Sequence, residues 1–135
     1  MICVTDGVCI ARALVRNVEE VIPYLGGKVQ LVNTSCWKAV AFASILALRA
    51  FERGTNHAKT PGGEFLLRLA GTLQIKDAIK QVGVKQGENF LVVFGDEDYA
   101  EEIMNELELE ELPLDECPDE IAKTFFEKSA LVEVL

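Results

Sequence analysis

Apolar residues recur along this chain with two different periods, and the switches between them mark the elements. From Cys3 to Val15 the alternation is imperfect. Even so, Val4, Val8, Ile10 and the apolar run around Ala13–Val15 predict one or two short strands, with Asp6-Gly7 as the turn. Asn17 caps a short helix whose first turn holds Glu19 and Glu20, and Gly26-Gly27 ends it. Lys28–Val32 (KVQLV) follows as a strand with Val29 and Leu31 on one face.

The clearest helix runs from about Cys36 to Arg53 and ends at Gly54. Val40, Ile45, Leu48 and Phe51 recur at helical intervals, and Ala41, Ala43 and Ala47 let neighbours approach closely. Residues 54–63 (GTNHAKTPGG) are a loop, broken by Gly54, Pro61, Gly62 and Gly63. A two-turn helical pattern starts near Glu64 and stops at Gly71. Thr72 then caps a helix over Leu73–Val82, with Ile75, Ala78, Ile79 and Val82 as its apolar face. Phe90–Phe94 (FLVVF) is a continuous apolar run, as expected of a central strand covered on both sides. Asp96 caps the next helix, whose buried stripe is Tyr99, Ile103, Met104 and Leu107. The ELELEELPL stretch predicts a short edge strand with an acidic face, limited by Pro113. Pro118-Asp119-Glu120 opens a last helix through Phe126, and the final seven residues fit either a helical turn or a strand. The order β–α–β–α–α–α–β–α–β–α predicts a mixed α/β (α+β) fold. It is a single domain spanning 1–135, with a small, mainly antiparallel sheet packed against several helices.

Charge changes this picture. The chain has 135 residues, half of them hydrophobic, and a net charge of −9. That total argues against a protein that coats DNA or adheres to anionic membrane, since both depend on clustered bases. The average conceals a division: residues 1–87 carry net +5 and residues 88–135 carry net −14. A local nucleic-acid site is therefore allowed on the first part. Arg49 and Arg53 are four apart on one predicted helix and Lys76 and Lys80 four apart on another, with Lys59 and Arg68 between them. Such a group suits a few phosphates, beside a loop rich in backbone N–H groups; ordinary surface charge is the plainer alternative. The acidic run from Glu106 to Glu120 lacks the spacing of a calcium loop and reads as a solvated face or a docking surface for a basic partner.

Other chemistry is sparse. The chain holds no phosphate-binding glycine loop, no zinc-protease helix motif and no nucleophile elbow. His57 is the only histidine, and the sequence offers no partner that would make it a general base. Cys3, Cys9, Cys36 and Cys117 show no zinc spacing, and buried free thiols are expected in preference to two disulfides. No secretory leader is visible at the N-terminus. The longest apolar stretch, Ala39–Leu48, is far short of the about 20 residues of a membrane span. A cytoplasmic protein is expected.

Residues 46–84 carry a more specific pattern. It begins with Ala50, Glu52, Arg53 and Gly54 at a helix end, and continues with Asn56, Ala58, Lys59 and Thr60 in the loop. Glu64, Leu66, Arg68, Ala70, Gly71, Gln74, Ile75, Ala78 and Ile79 complete it. This region resembles the smallest conserved subunit of the archaeal and eukaryotic KEOPS complex, the PRPK-binding protein family. The resemblance implies a protein with no catalytic residue, no metal and no cofactor. It implies binding to the small atypical kinase/ATPase subunit and, through it, to the subunit that transfers threonylcarbamoyl to tRNA adenosine. It also implies contact with the tRNA 3′ CCA tail. Asn56, Lys59, Arg68 and Gln74 are the leading candidates for tail contacts, joined by Arg53, His57, Lys76 and Lys80, with Gly71 allowing close backbone approach. A single-stranded end is read in a small site by stacking and edge hydrogen bonds, which suits a local basic patch. The alternative is a structural partner of the kinase with no RNA contact. The chain departs from the family pattern at His57 and at Pro61-Gly62-Gly63.

Overall fold

A computed structural model describes residues 1–132 of the chain. Asp6-Gly7 turns β1 (Ile2–Thr5) back onto β2 (Val8–Val15), as the alternation predicts. β4 (Gly87–Val93) pairs antiparallel with β2 from Cys9, opposite Val93, to Val15, opposite Gly87. β3 (Val29–Val32) pairs with the other side of β4, and β5 (Glu110–Leu112) pairs with the second half of β2 beside β1. The sheet order is thus β1-β2-β4-β3, with β5 sharing the β1 flank.

Alternation along the strands sends successive side chains to opposite faces. Val8, Ile10, Val32, Phe90 and Val92 share one cluster with α2 (Trp37–Arg53), α3 (Pro61–Ala70) and α4 (Ile75–Val82). Cys9, Ala11, Leu31, Leu91 and Val93 share another with α1 (Val18–Val21) and α5 (Glu97–Glu106). Helices therefore cover both faces, which is why the Phe90–Phe94 run is apolar without interruption. α6 (Asp119–Leu131) lies across α2 and α3, where the rings of Phe42 and Phe126 stand 4.7 Å apart.

The predicted caps form at three helix ends. Asn17 Oδ1 accepts from the Glu19 N–H, Asp96 Oδ1 accepts from the Tyr99 N–H, and Gly54 ends α2 at φ 72°. Two helix starts differ from expectation. α3 begins at Pro61, inside the predicted loop, because Thr60 caps it and proline is favoured in a first helical turn. α4 begins at Ile75, because the Thr72 hydroxyl takes the Gln74 N–H in a local turn instead of capping a helix from Leu73. Of the undecided C-terminal stretch, α6 takes the residues to Leu131, and 133–135 lie outside the described residues.

The expectation for the cysteines is overturned. Cys3 and Cys9, directly opposed on β1 and β2, form a disulfide, and Cys36 at the start of α2 forms a second with Cys117 just before α6. Pairing follows from which cysteines the fold brings together, a relation their spacing does not carry. No helix among the described residues is long and apolar enough to cross a membrane.

Candidate functional site

α3 is apolar nearly all round and buried from Gly62 to Ala70, so its two charged side chains have no route to water. Glu64 and Arg68, four apart and both at 0% exposure, pair with each other instead: Arg68 Nε donates to Glu64 Oε2 over 2.9 Å. Further hydrogen bonds to the two groups offset the desolvation cost of a buried pair. Glu64 Oε1 meets that demand by accepting the backbone N–H groups of His57 (2.6 Å) and Ala58 (2.8 Å). The loop of residues 54–60 is thereby folded onto the start of α3. Asn56 Nδ2 closes a tight turn by donating to the Ala58 carbonyl over 2.8 Å.

The far end of this loop is fastened to the turn before β3. The Thr60 hydroxyl donates to the Gly26 carbonyl and accepts the Gly63 N–H, while the Gly62 N–H donates to the Gly27 carbonyl over 2.8 Å. A Cβ at position 62 would stand 2.8 Å from the Gly27 oxygen, so glycine is required there by close approach. The departure of Pro61-Gly62-Gly63 from the family pattern thus has a local cause in this chain.

Between the loop, the Gly26 turn and α4 opens a pocket of about 740 Å³. It straddles the edge of β3, where the helical layers on the two faces of the sheet diverge. Ile22, Leu25 and Val18 wall it on the α1 side, and Leu66, Ile75 and Ile79 on the other. Its lining is apolar apart from a few groups, among them Gln30, His57, Lys59 and Thr60. A mostly apolar recess of this size with few polar groups is the usual form of a small-ligand site.

The structure brings only part of the predicted set to this pocket. His57 and Lys59 line it, and the His57 Nε2 lies 3.2 Å from the Val132 carbonyl at the end of α6. Gln74, Lys76 and Lys80 are exposed on α4 and its N-terminal flank, beside the two isoleucines that form a wall. Asn56 is in the loop but its amide holds the turn, and Arg53 is exposed in the last turn of α2, away from the lining. Gly71 ends α3 at φ 71°, with its N–H on the Leu67 carbonyl, so its freedom serves the helix end. Arg68 requires correction: its guanidinium is fully buried against Glu64 and is not displayed to any ligand at the surface. Its role is to hold Glu64, and through it the loop. Of the charged residues on these elements, Lys59 lines the pocket, while Lys76 and Lys80 are exposed on α4 and Glu19 and Glu20 on α1.

Ile22, Leu25, Gln30, Ile75 and Ile79 are pocket residues that the sequence reading did not assign to a site. A signal existed for the last two. α4 offers two four-apart apolar pairs, Ala78–Val82 and Ile75–Ile79, whereas one suffices for the core; Ile75 and Ile79 stay 39% and 53% exposed. A second recess, near Arg12, Ser35 and Glu88, is already filled electrostatically, since Arg12 bonds Glu88, Asp115 and the Pro113 carbonyl. No group of three or more metal-ligating side chains occurs among the described residues.

Fold and pocket together define a small, single-domain, mixed α/β protein with a ligand-sized recess at its sheet edge. No protein-family model matches the chain. It is 41% identical over 132 residues to the KEOPS complex subunit Cgi121 of Pyrococcus abyssi (strain GE5 / Orsay), covering 94% of this chain and 77% of that protein. The chain belongs to the Cgi121 family.

Proposed function

We propose that this chain is a non-catalytic cytoplasmic subunit of the complex that makes threonylcarbamoyladenosine in tRNA. In this reading it binds and stimulates the small kinase/ATPase subunit, reaches the threonylcarbamoyl-transferase subunit through it, and holds the tRNA 3′ CCA tail. The observation that carries the RNA part is the apolar pocket at the β3 edge, lined by Lys59 and by Ile75 and Ile79 of α4, the helix that also exposes Lys76 and Lys80. Unpaired bases bury their faces against apolar walls, while lysines beside the recess take the phosphates that follow. A pocket of about 740 Å³ admits one or two nucleotides and not a duplex, which agrees with a net charge unsuited to broad nucleic-acid binding.

The test is a binding titration with one tRNA in two forms, intact and trimmed of its CCA end. The expected result is a loss of at least tenfold in affinity on trimming. Equal binding of the two forms removes the tail from the proposal.

A structural partner of the kinase without RNA contact is the second reading, and one observation favours it. Ile22, Tyr24, Leu73 and Ile79 are all at least 40% exposed, apolar surface that a protein partner would cover. That reading predicts a stable complex with the kinase and no measurable tRNA affinity.

A further inference from the structure

The two disulfides occupy different environments. Cys36 and Cys117 are both buried, at 0% and 7% exposure, within the cluster that α2, α3 and one face of the sheet enclose. The other bridge is buried at one end only. Cys9 is 2% exposed on the inner strand β2, whereas Cys3 is exposed on the short border strand β1. Reduction of a disulfide begins with a thiolate attacking one of its sulfurs, and so needs an open approach to that sulfur. The Cys3 end of the first bridge offers one, with Cys9 as the leaving group behind it. The second bridge offers one at neither end.

The fold is also prepared for the reduced state. Cys9 Sγ lies 3.8 Å from the Gly95 carbonyl oxygen, a contact that a disulfide sulfur cannot use because it carries no hydrogen. A thiol at the same place donates to that oxygen, so the buried sulfur has a partner once the bond is broken. Nor does β1 depend on the bridge for its position. Its backbone pairs with β2, Val4 and Met1 pack against the two cores, and the Met1 ammonium pairs with Glu111. The Gly7 N–H closes the turn on Thr5 Oγ1. A bridge across six positions constrains the unfolded chain less than one across 81, so its loss weighs less on the whole fold.

We infer that Cys3–Cys9 is a thiol–disulfide exchange site, opened in the native protein by a dithiol reductant, while Cys36–Cys117 is a permanent staple. A thiolate of the dithiol bonds to Cys3 Sγ as the Cys3–Cys9 bond breaks, and Cys9 departs with the electron pair and takes up a proton. The second sulfur of the reductant then bonds to its first and releases Cys3, which takes up the other proton. The cystine is thereby reduced to two thiols and the dithiol oxidised to a disulfide. Between the steps Cys3 carries the reductant as a mixed disulfide, so Cys3 is the residue that a small thiol modifies. Where thiols are kept reduced, as in the cytoplasm proposed above, accessible disulfides are the redox-responsive ones. The inference does not depend on RNA binding.

The experiment uses the full oxidised chain under native conditions, with dithiothreitol as the dithiol. Samples are quenched with an alkylating reagent, and the labelled cysteines are located by peptide mass. Cys3 and Cys9 should be labelled together, at least about tenfold faster than Cys36 and Cys117, since exchange follows access. Their rate should rise in proportion to dithiothreitol. That of Cys36 and Cys117 should level off, because unfolding must come first. Circular dichroism of the form reduced at Cys3–Cys9 alone should match that of the oxidised chain. With glutathione disulfide, a Cys9→Ser chain should gain one glutathione on Cys3, in a time that leaves Cys9 of a Cys3→Ser chain unmodified. Labelling of both pairs together, of Cys36 and Cys117 first, or of neither before unfolding overturns the assignment. Faster glutathione addition to the Cys3→Ser chain also overturns it. Loss of the native spectrum on reduction of Cys3–Cys9 alone does the same, by assigning that bridge to the fold.

Discussion

Glu64 and Arg68 meet at 2.9 Å with no exposure to water, and the second oxygen of Glu64 holds the His57 and Ala58 N–H groups. One carboxylate thus joins a buried cation to the loop that rims the pocket. Removing it leaves a buried guanidinium without its carboxylate partner and frees two backbone donors. Glu64→Ala should cost about 3–5 kcal/mol, the range for breaking a buried pair from one side. Urea unfolding measures the loss, and backbone amide exchange at His57 and Ala58 should accelerate in any variant that still folds.

The lysines and Arg68 should separate cleanly in an RNA titration. Lys59→Ala, Lys76→Ala and Lys80→Ala are each expected to weaken tRNA binding and to flatten its salt dependence by about 0.7 for every phosphate no longer neutralised. Arg68→Met should lower stability and leave the salt slope of the folded fraction unchanged, because its guanidinium reaches no ligand. A flattened slope for Arg68→Met would refute its positional role.

Ile79 is half exposed on α4, so its truncation tests binding with little effect on the fold. Ile79→Ala should shift unfolding by no more than about 0.5 kcal/mol, as for other surface changes. Tail affinity should nevertheless fall several-fold, since the deleted methylenes wall the pocket, at ~0.8 kcal/mol each if fully covered. Calorimetry and tRNA binding on the same sample check both halves.

The disulfides give a chemical test. Alkylation of the unfolded but unreduced chain should label none of its four cysteines, and labelling after reduction should reach all of them. The Cys36–Cys117 bridge joins positions 81 apart, so Cys117→Ser should cost about 2–4 kcal/mol. The Cys3–Cys9 bridge spans only six positions and should matter less. Denaturant midpoints of Cys117→Ser and Cys3→Ser settle the order.

Local chemistry made most elements legible before the fold was known. Asn17 and Asp96 announce helices because their short side chains satisfy orphan N–H groups within three residues, and Phe90–Phe94 announces a strand covered on both faces. What escaped depends on contacts distant in sequence. Gly62-Gly63 reads as a breaker, yet the glycines sit inside α3 because the Gly27 carbonyl leaves no room for a Cβ at position 62. Arg68 reads as surface charge by residue type, although the apolar residues surrounding it in EFLLRLA, with Glu64 one turn earlier, already hinted at burial. Of the residues read as a tail site, His57 and Lys59 line the pocket, but its walls from Ile22, Leu25 and Gln30 come from another part of the chain. Only the bonds from Thr60 and Gly62 to the Gly26-Gly27 turn bring them there.

The strand order has an electrical consequence. β3, with the pocket that Lys59 lines, forms one border of the sheet, and β5 forms the opposite one beside β2, where Glu110 pairs with Arg16 and Glu111 with the N-terminal ammonium. Three strand spacings, about 14 Å, separate the two borders. Charge on the β5 border is therefore compensated within the fold. The net charge of −9 is carried away from that border, with exposed Glu97, Asp98, Glu101 and Glu102 of α5 among its bearers.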